Sequence, residues 1–231
     1  MIIEGAFFKL PDYFLSKDDA SQYYEGYLIS YFTLAIFLEL QNRGVNNPFL
    51  NIQMDKPYPK EKNKRVDIYV NIPWLSTEKV RSSAEGYGIF KENWIEVKFF
   101  GGKGSAKGKQ TKTENIGAIL NDILRLKFYA PWNSGRYCLI GFNRKPEEYL
   151  AFYKKKTKER RNYLCKLFEV GEHDIEFDLS EEPNSLINKI KVHENVLEKQ
   201  KFKLRVLTLA IKPSEESDNQ CFWLYLIKIK I

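Results

Sequence analysis

Residues 93–100, Asn-Trp-Ile-Glu-Val-Lys-Phe-Phe, constrain this chain more than any other stretch. They are rich in aromatic and β-branched side chains and are followed at once by Gly101 and Gly102, which marks a strand. In a pleated strand alternate side chains share a face, so Glu96 and Lys98 point one way, about 7 Å apart, while Ile95, Val97 and Phe99 point the other way into a core. A carboxylate and an ammonium on so apolar a strand are costly to bury without a partner or a task. Glu96-Val97-Lys98 is also the only Asp/Glu-x-Lys triplet in the sequence.

A second strand precedes it. Over Arg65–Ile72, Val66, Ile68, Val70 and Ile72 alternate with Asp67, Tyr69 and Asn71, so Asp67 faces away from the aliphatic row. Consecutive strands are usually neighbours, which lets Asp67 and Glu96 meet across a sheet. Two nearby carboxylates repel unless a cation lies between them, and hard oxygen donors suit Mg²⁺ or Mn²⁺. A lysine beside such a cation can orient or deprotonate a water, or hold charge on a phosphate.

The rest of the chain supplies a frame for these strands. Met1–Ser16 is mixed in character and is expected at the surface. Ser16 fits an N-cap, with Asp18 and Asp19 in a first turn, for a helix running to about Asn42 and closed by Gly44. From Tyr23 to Leu40 that helix is apolar nearly all round, which predicts burial, with Glu25 and Glu39 as its two acids. Phe49–Met54 predicts a short strand, Asp55–Lys64 a polar turn and Ser76–Lys91 a polar insertion or short helix. Thr111-Lys112-Thr113-Glu114 has the form of a capping box opening a helix with Ile116, Ile119, Leu120, Ile123 and Leu126 on one face. Gly135–Phe142 predicts another strand, Pro146–Phe168 a helix with a basic middle, Gly171–Leu179 a short strand and Pro183–Gln200 a weaker helix or loop. Lys203–Ile211 and Cys221–Ile231 predict an antiparallel hairpin. The whole is an α/β chain of the α+β kind: a mixed sheet with helices on its faces, in one domain.

Asp67 followed 29 positions later by Glu96-Val97-Lys98 resembles the signature of the PD-(D/E)xK nuclease superfamily, which includes many type II restriction endonucleases and DNA-repair nucleases. Val66 stands where the family name puts Pro. The resemblance implies a restriction-endonuclease-like αβββαβ core over about 16–142, with 143–231 as a C-terminal helical and β-hairpin extension. It implies Asp67, Glu96 and the Val97 carbonyl as ligands of Mg²⁺ (or Mn²⁺), Lys98 as the catalytic lysine and an acid from the first helix. Glu25 takes that last role in preference to Glu39, with Gln53 or Asp55 as further candidates. The function implied is metal-dependent endonucleolytic cleavage of double-stranded DNA by a homodimer, of the restriction type. A structure-selective repair nuclease, or a DNA-binding or assembly module of the same fold that no longer cuts, is the alternative.

Charge fits a phosphate-bearing substrate. The chain is +7 overall, and Gly101–Arg161 alone holds 15 Lys or Arg against 5 Asp or Glu. Lys103, Lys107, Lys109 and Lys112 after the strand, and Lys154, Lys155, Lys158, Arg160 and Arg161 further on, are the expected DNA contacts. Other chemistries find less support. The glycine-lysine stretch misses a P-loop, because Gly102 to Gly108 is one residue too long and Gln110 stands where a Ser or Thr hydroxyl is needed. Three scattered cysteines and two histidines give neither a disulfide framework nor a zinc spacing. Met1–Leu10 has no signal-peptide pattern and no apolar run reaches membrane-span length, so a cytoplasmic setting without membrane contact is expected.

Overall fold

The computed structural model describes residues 2–13, 24–75, 77–101, 111–155, 157–190, 201–213 and 222–230. A seven-stranded mixed sheet runs through them. Its strands are β1 (Ile52–Tyr58), β2 (Glu61–Asn71), β3 (Glu92–Phe100), β4 (Gly135–Phe142), β5 (Gly171–Asp178), β6 (Lys201–Ile211) and β7 (Trp223–Lys230). In space they lie in the order β1-β2-β3-β4-β7-β6-β5. Every neighbouring pair is antiparallel except β3 and β4. A parallel pair needs a crossover, and α4 (Lys112–Tyr129) provides it. The chain is therefore mixed α/β, as the periodicities predict.

Two apolar layers sandwich the sheet. On one side α1 (Ile2–Tyr13) and α2 (Glu25–Asn42) bury Phe7, Leu10, Leu28, Phe32 and Ile36 against Ile68, Val70, Ile95, Val97 and Leu139. On the other, α4, α6 (Asn162–Phe168) and α7 (Asn184–Ile190) pack Ile116, Ile119, Leu120, Ile123 and Leu164 against Cys138, Ile140, Tyr225 and Ile227. The alternation along β3 holds as expected: Ile95, Val97 and Phe99 enter the first layer and Trp94 and Phe100 the second. In β2 it holds from Ile68 on, but Val66 joins the α4 side, so the face changes next to Asp67. No helix among the described residues is long and apolar enough to cross a membrane.

Several expectations need correcting. The first residues are not a surface segment but α1, whose Ile2, Ile3, Ala6, Phe7 and Leu10 are buried. The expected cap at Ser16 and its acids Asp18 and Asp19 fall outside the described residues, and the described helix α2 begins at Glu25 after Tyr24. It is not buried all round either. Its stripe from Leu28 to Leu40 is inside while Tyr27 and Leu34 are exposed. Pro48–Asn51 forms a 3₁₀ turn, and β1 runs on to Tyr58 where a polar turn was expected. Pro57 is tolerated there because β1 is an edge strand. The insertion between β2 and β3 holds the short helix α3 (Glu78–Gly86).

The predicted helix Pro146–Phe168 is split. Only α5 (Pro146–Tyr149) and α6 are helical, and between them the chain doubles back through a bridge between Tyr153 and Arg160. Lys154–Arg161 is polar on every side, so a helix there would gain nothing from packing. The predicted C-terminal hairpin exists, but it is built into the sheet: β7 pairs with β4 along Tyr137–Phe142.

Candidate active site

The seam between β2 and β3 opens at the site. Their pairing reaches Ile68↔Ile95. One residue further along β2, the Asp67 carboxylate enters the gap and accepts a hydrogen bond from the Val97 N–H at 2.6 Å. In a strand the N–H and C=O of one residue point to the same side, so the Val97 carbonyl is directed into the same opening. Asp55, opposite Asp67 on β1, adopts a left-handed φ of 52°, which marks the distortion on that side too.

Glu96 lies under this opening with 1% of its surface exposed. Tyr58, the last residue of β1, donates its hydroxyl proton to Glu96 Oε1 at 2.5 Å, and Arg125 Nη2 from α4 lies 3.1 Å from the same oxygen. Tyr58 is itself fixed by stacking on Trp94 at 5.2 Å. Lys98, the next residue on that face, places its ammonium 3.1 Å from Glu25 Oε2 at the start of α2 and 3.4 Å from Asp122 Oδ2 on α4. Arg125 Nη1 reaches Asp122 Oδ1 at 3.3 Å, and its other terminal nitrogen also binds the Arg65 carbonyl. Elements distant in sequence thus meet at one place: β1, β2, β3, α2 and α4.

Helix α4 is aimed by its N-terminus. The capping box forms as the sequence predicts, with Thr111 Oγ1 accepting from Glu114 N and the Glu114 carboxylate accepting from Thr111 N. The resulting rotation puts Ile119, Ile123 and Leu126 into the core and carries Asp122, three residues from Ile119 and four from Leu126, onto the same buried stripe.

Charge in the cluster does not balance. Among the described residues Glu25, Asp67, Glu96 and Asp122 face two cations, Lys98 and Arg125. Burial, with the Asp122 and Asp67 charges added, raises the Glu96 pKa well above the usual carboxylate range. Burial raises Asp67 too, despite the Val97 N–H, and raises Asp122 despite Lys98 and Arg125. For Lys98 burial works the other way, but Asp122 and Glu25 outweigh it and the net shift is upward. The ammonium therefore keeps its proton across the neutral range, which makes it a donor and a charge holder rather than a base.

The chain matches no protein-family model, no characterised protein and no solved structure.

Asp67, Glu96, Lys98 and Glu25 are brought together, Glu25 through Lys98. Glu39 is elsewhere, tying α2 to Lys9 of α1 at 2.5 Å. Gln53 and Asp55 are exposed on β1. Among the described residues no three His, Cys, Asp or Glu side chains stand as a ready metal cluster. The donors nonetheless suit a hard divalent cation: Asp67 and Glu96 offer carboxylate oxygens, negative charge is in surplus among the described residues, and Asp122 Oδ2 is buried with only the Lys98 ammonium, 3.4 Å away, beside it.

Of the predicted DNA contacts, Lys103, Lys107 and Lys109 lie outside the described residues. Lys112, Lys155, Lys158 and Arg160 are exposed, and Lys154 is half-buried against Glu181 at 2.6 Å. Arg161 is a correction. It is 3% exposed and bound to Glu182, so it faces the protein interior and not a phosphate. Three residues of the site escaped the sequence: Tyr58, Asp122 and Arg125. Asp122 left a signal, an acid inside an otherwise apolar helical stripe. Tyr58 left none.

Proposed function

We propose that this chain is a Mg²⁺-dependent endonuclease that hydrolyses phosphodiester bonds in double-stranded DNA, with a PD-(D/E)xK site on a restriction-endonuclease-like αβββαβ core. The observation that carries the proposal is the convergence of Asp67, Glu96 and Lys98 at the open end of the β2–β3 seam, with an acid of the first core helix on the lysine. Helix α2, β1, β2, β3, α4 and β4 follow one another in the implied order, with α3 as an insertion.

Asp67, Glu96 and the Val97 carbonyl would hold the metal. Bound there, Mg²⁺ or Mn²⁺ supplies a coordinated water of lowered pKa and neutralises charge on the phosphate. The chain's own residues do the positioning. Tyr58 and Arg125 fix the Glu96 carboxylate by its Oε1 atom. Glu25 and Asp122 hold the Lys98 ammonium over the opening. From there it donates to the attacking water or to a phosphate oxygen, where charge builds in the transition state. Cutting both strands in one encounter calls for two such sites, so a homodimer of the restriction type belongs to this proposal.

A non-cutting DNA-binding module of the same fold is the second reading. Arg125 favours it, because its guanidinium neutralises part of the Glu96 charge and, with Tyr58, occupies Oε1, leaving only Oε2 for a metal. The test is cleavage of a long defined DNA with Mg²⁺ by the wild type, Glu96→Ala and Lys98→Ala. Loss of cutting in both variants supports the site. Equal cutting by all three removes it, and binding without cutting by the wild type leaves the second reading. Discrete fragments mark a restriction enzyme and a smear marks a non-specific or structure-selective nuclease.

A further inference from the structure

The loop that replaces the middle of the expected basic helix is a built element. Tyr153 and Arg160 pair across it, Lys154 N donates to the Glu159 carbonyl at 2.8 Å, and Lys158 N donates to the Lys154 carbonyl at 3.0 Å. Lys158 takes a left-handed φ of 57° to close the turn. Arg161 staples the base of this hairpin to the core. Its Nη1 donates to the Ala151 and Tyr153 carbonyls at 2.7 and 2.6 Å, and its Nε and Nη2 grip Glu182. Tyr163 completes the staple with a 2.9 Å bond to Glu182. Outside the staple the hairpin presents Lys155, Lys158 and Arg160, all exposed, beside the exposed ring of Tyr153. Among the described residues no carboxylate pairs with those three cations.

The hairpin walls one side of a groove of about 1460 Å³, and the first turn of α4, with Thr111, Lys112 and Thr113, lines the other side. Two acids also line it, but Glu182 is taken by Arg161 and Glu181 by Lys154. Cations are left over. Lys112 lies ten residues before Asp122 on α4, about 15 Å along the axis, or roughly four base pairs of duplex rise at 3.4 Å each.

We propose that the hairpin closed by Tyr153 and Arg160, through its described residues Lys155, Lys158 and Arg160, is a finger that grips the phosphate backbone of duplex DNA to one side of the reacting phosphate, held in place by the Arg161–Glu182–Tyr163 staple. This rests on DNA as the substrate of the site, but not on the chemistry there. The site offers phosphate contacts and one aromatic ring and no base-reading pair, so it contributes affinity and register rather than sequence choice.

The test is binding of a fluorescent 30-base-pair DNA duplex, followed by anisotropy in EDTA over a series of salt concentrations. Lys155→Ala/Lys158→Ala/Arg160→Ala is compared with the wild type and with Lys201→Ala/Lys203→Ala/Arg205→Ala, a charge-matched control on β6. The finger variant is expected to bind about 10-fold more weakly near 100 mM salt and to lose about two to three units of the log–log salt slope. The control should lose little of either. An unchanged slope in the finger variant overturns the proposal. So do an equal loss in the control, a wild type that binds no duplex, and displacement of the duplex by a nucleoside triphosphate at equal phosphate concentration. Cleavage of the same duplex with Mg²⁺ separates the two proposals. Finger-dependent binding without cleavage by the wild type leaves the finger and removes the hydrolase. Cleavage with finger-independent binding does the reverse.

Discussion

Two buried charge clusters in this protein differ in one respect. At the Arg161 staple one guanidinium meets one carboxylate, and both carboxylate oxygens accept well-placed hydrogen bonds from Arg161 while Tyr163 adds a third donor. At the β2–β3 seam four carboxylates meet two cations among the described residues, three of those acids are pushed toward protonation, and Asp122 Oδ2 has only the Lys98 ammonium, 3.4 Å away, beside it. The first arrangement is complete in itself and holds a loop. The second holds more negative charge than the described cations around it balance. Buried ion clusters built for structure are balanced, because an unpaired buried charge is expensive. An imbalance of this kind supports the proposed divalent-cation site.

The largest effect expected concerns the seam. Lys98→Ala should lower the cleavage rate with Mg²⁺ by roughly 10²- to 10³-fold, and because it deepens the negative surplus around Asp122 it should also lower the metal-free melting temperature, a loss that Mg²⁺ partly recovers. A loss of stability that Mg²⁺ leaves unchanged would make Lys98 a structural residue like Arg161. Next comes the staple. Glu182→Ala leaves Arg161 buried without its carboxylate and should cost about 3–5 kcal/mol in denaturant unfolding. A cost under about 1 kcal/mol would mean that the two clusters do not differ as described.

A smaller effect separates the clusters by pH. Asp67, Glu96 and Asp122 have folded pKa values raised above those of the unfolded chain, so the native state binds more protons than the unfolded state between the two. Their contribution favours the native state below the ordinary carboxylate range and is lost as pH rises through the raised values. Metal-free protein should therefore melt at a progressively lower temperature as pH rises above the ordinary carboxylate range and through the raised values, and Mg²⁺ at pH 8 should recover part of the loss. Asp67→Asn/Glu96→Gln should flatten the profile and abolish the Mg²⁺ effect. A wild-type profile rising from pH 6 to pH 8 would contradict the imbalance. The smallest effect is expected for Asp122→Asn at pH 8, which removes one surplus charge at constant shape. The melting temperature should stay within a few degrees of the wild type or rise, and a fall of more than about 8 °C would show Asp122 to be balanced.

What the sequence disclosed of all this follows the range of the interactions. Glu96 and Lys98 were legible because period-two alternation fixes the face of each side chain along β3; Asp67 stood out as the acid of the β2 pattern, although the alternation breaks beside it at Val66. Helix α4 was legible from its capping box. Tyr58 and Arg125 were not, because their role depends on where β1 ends and how α4 crosses β3, and neither is written in local pattern. Helix α1 was missed although Ile2, Ala6 and Leu10 recur at helical spacing, since Pro11 and the lack of a cap hide a short segment. The basic stretch misled in the other direction. A Pro146 start and a run of good helix formers suggested one helix, and only the lack of an apolar face from Lys154 to Arg161 betrayed that it would break.

The surplus carboxylate at the seam is proposed to take a divalent cation. Isothermal titration of Mn²⁺ into the wild type and into Asp67→Asn/Glu96→Gln decides the matter. The wild type should bind saturably, and the double variant should lose that binding while staying folded. Equal heats from both proteins, or none from the wild type, would contradict it.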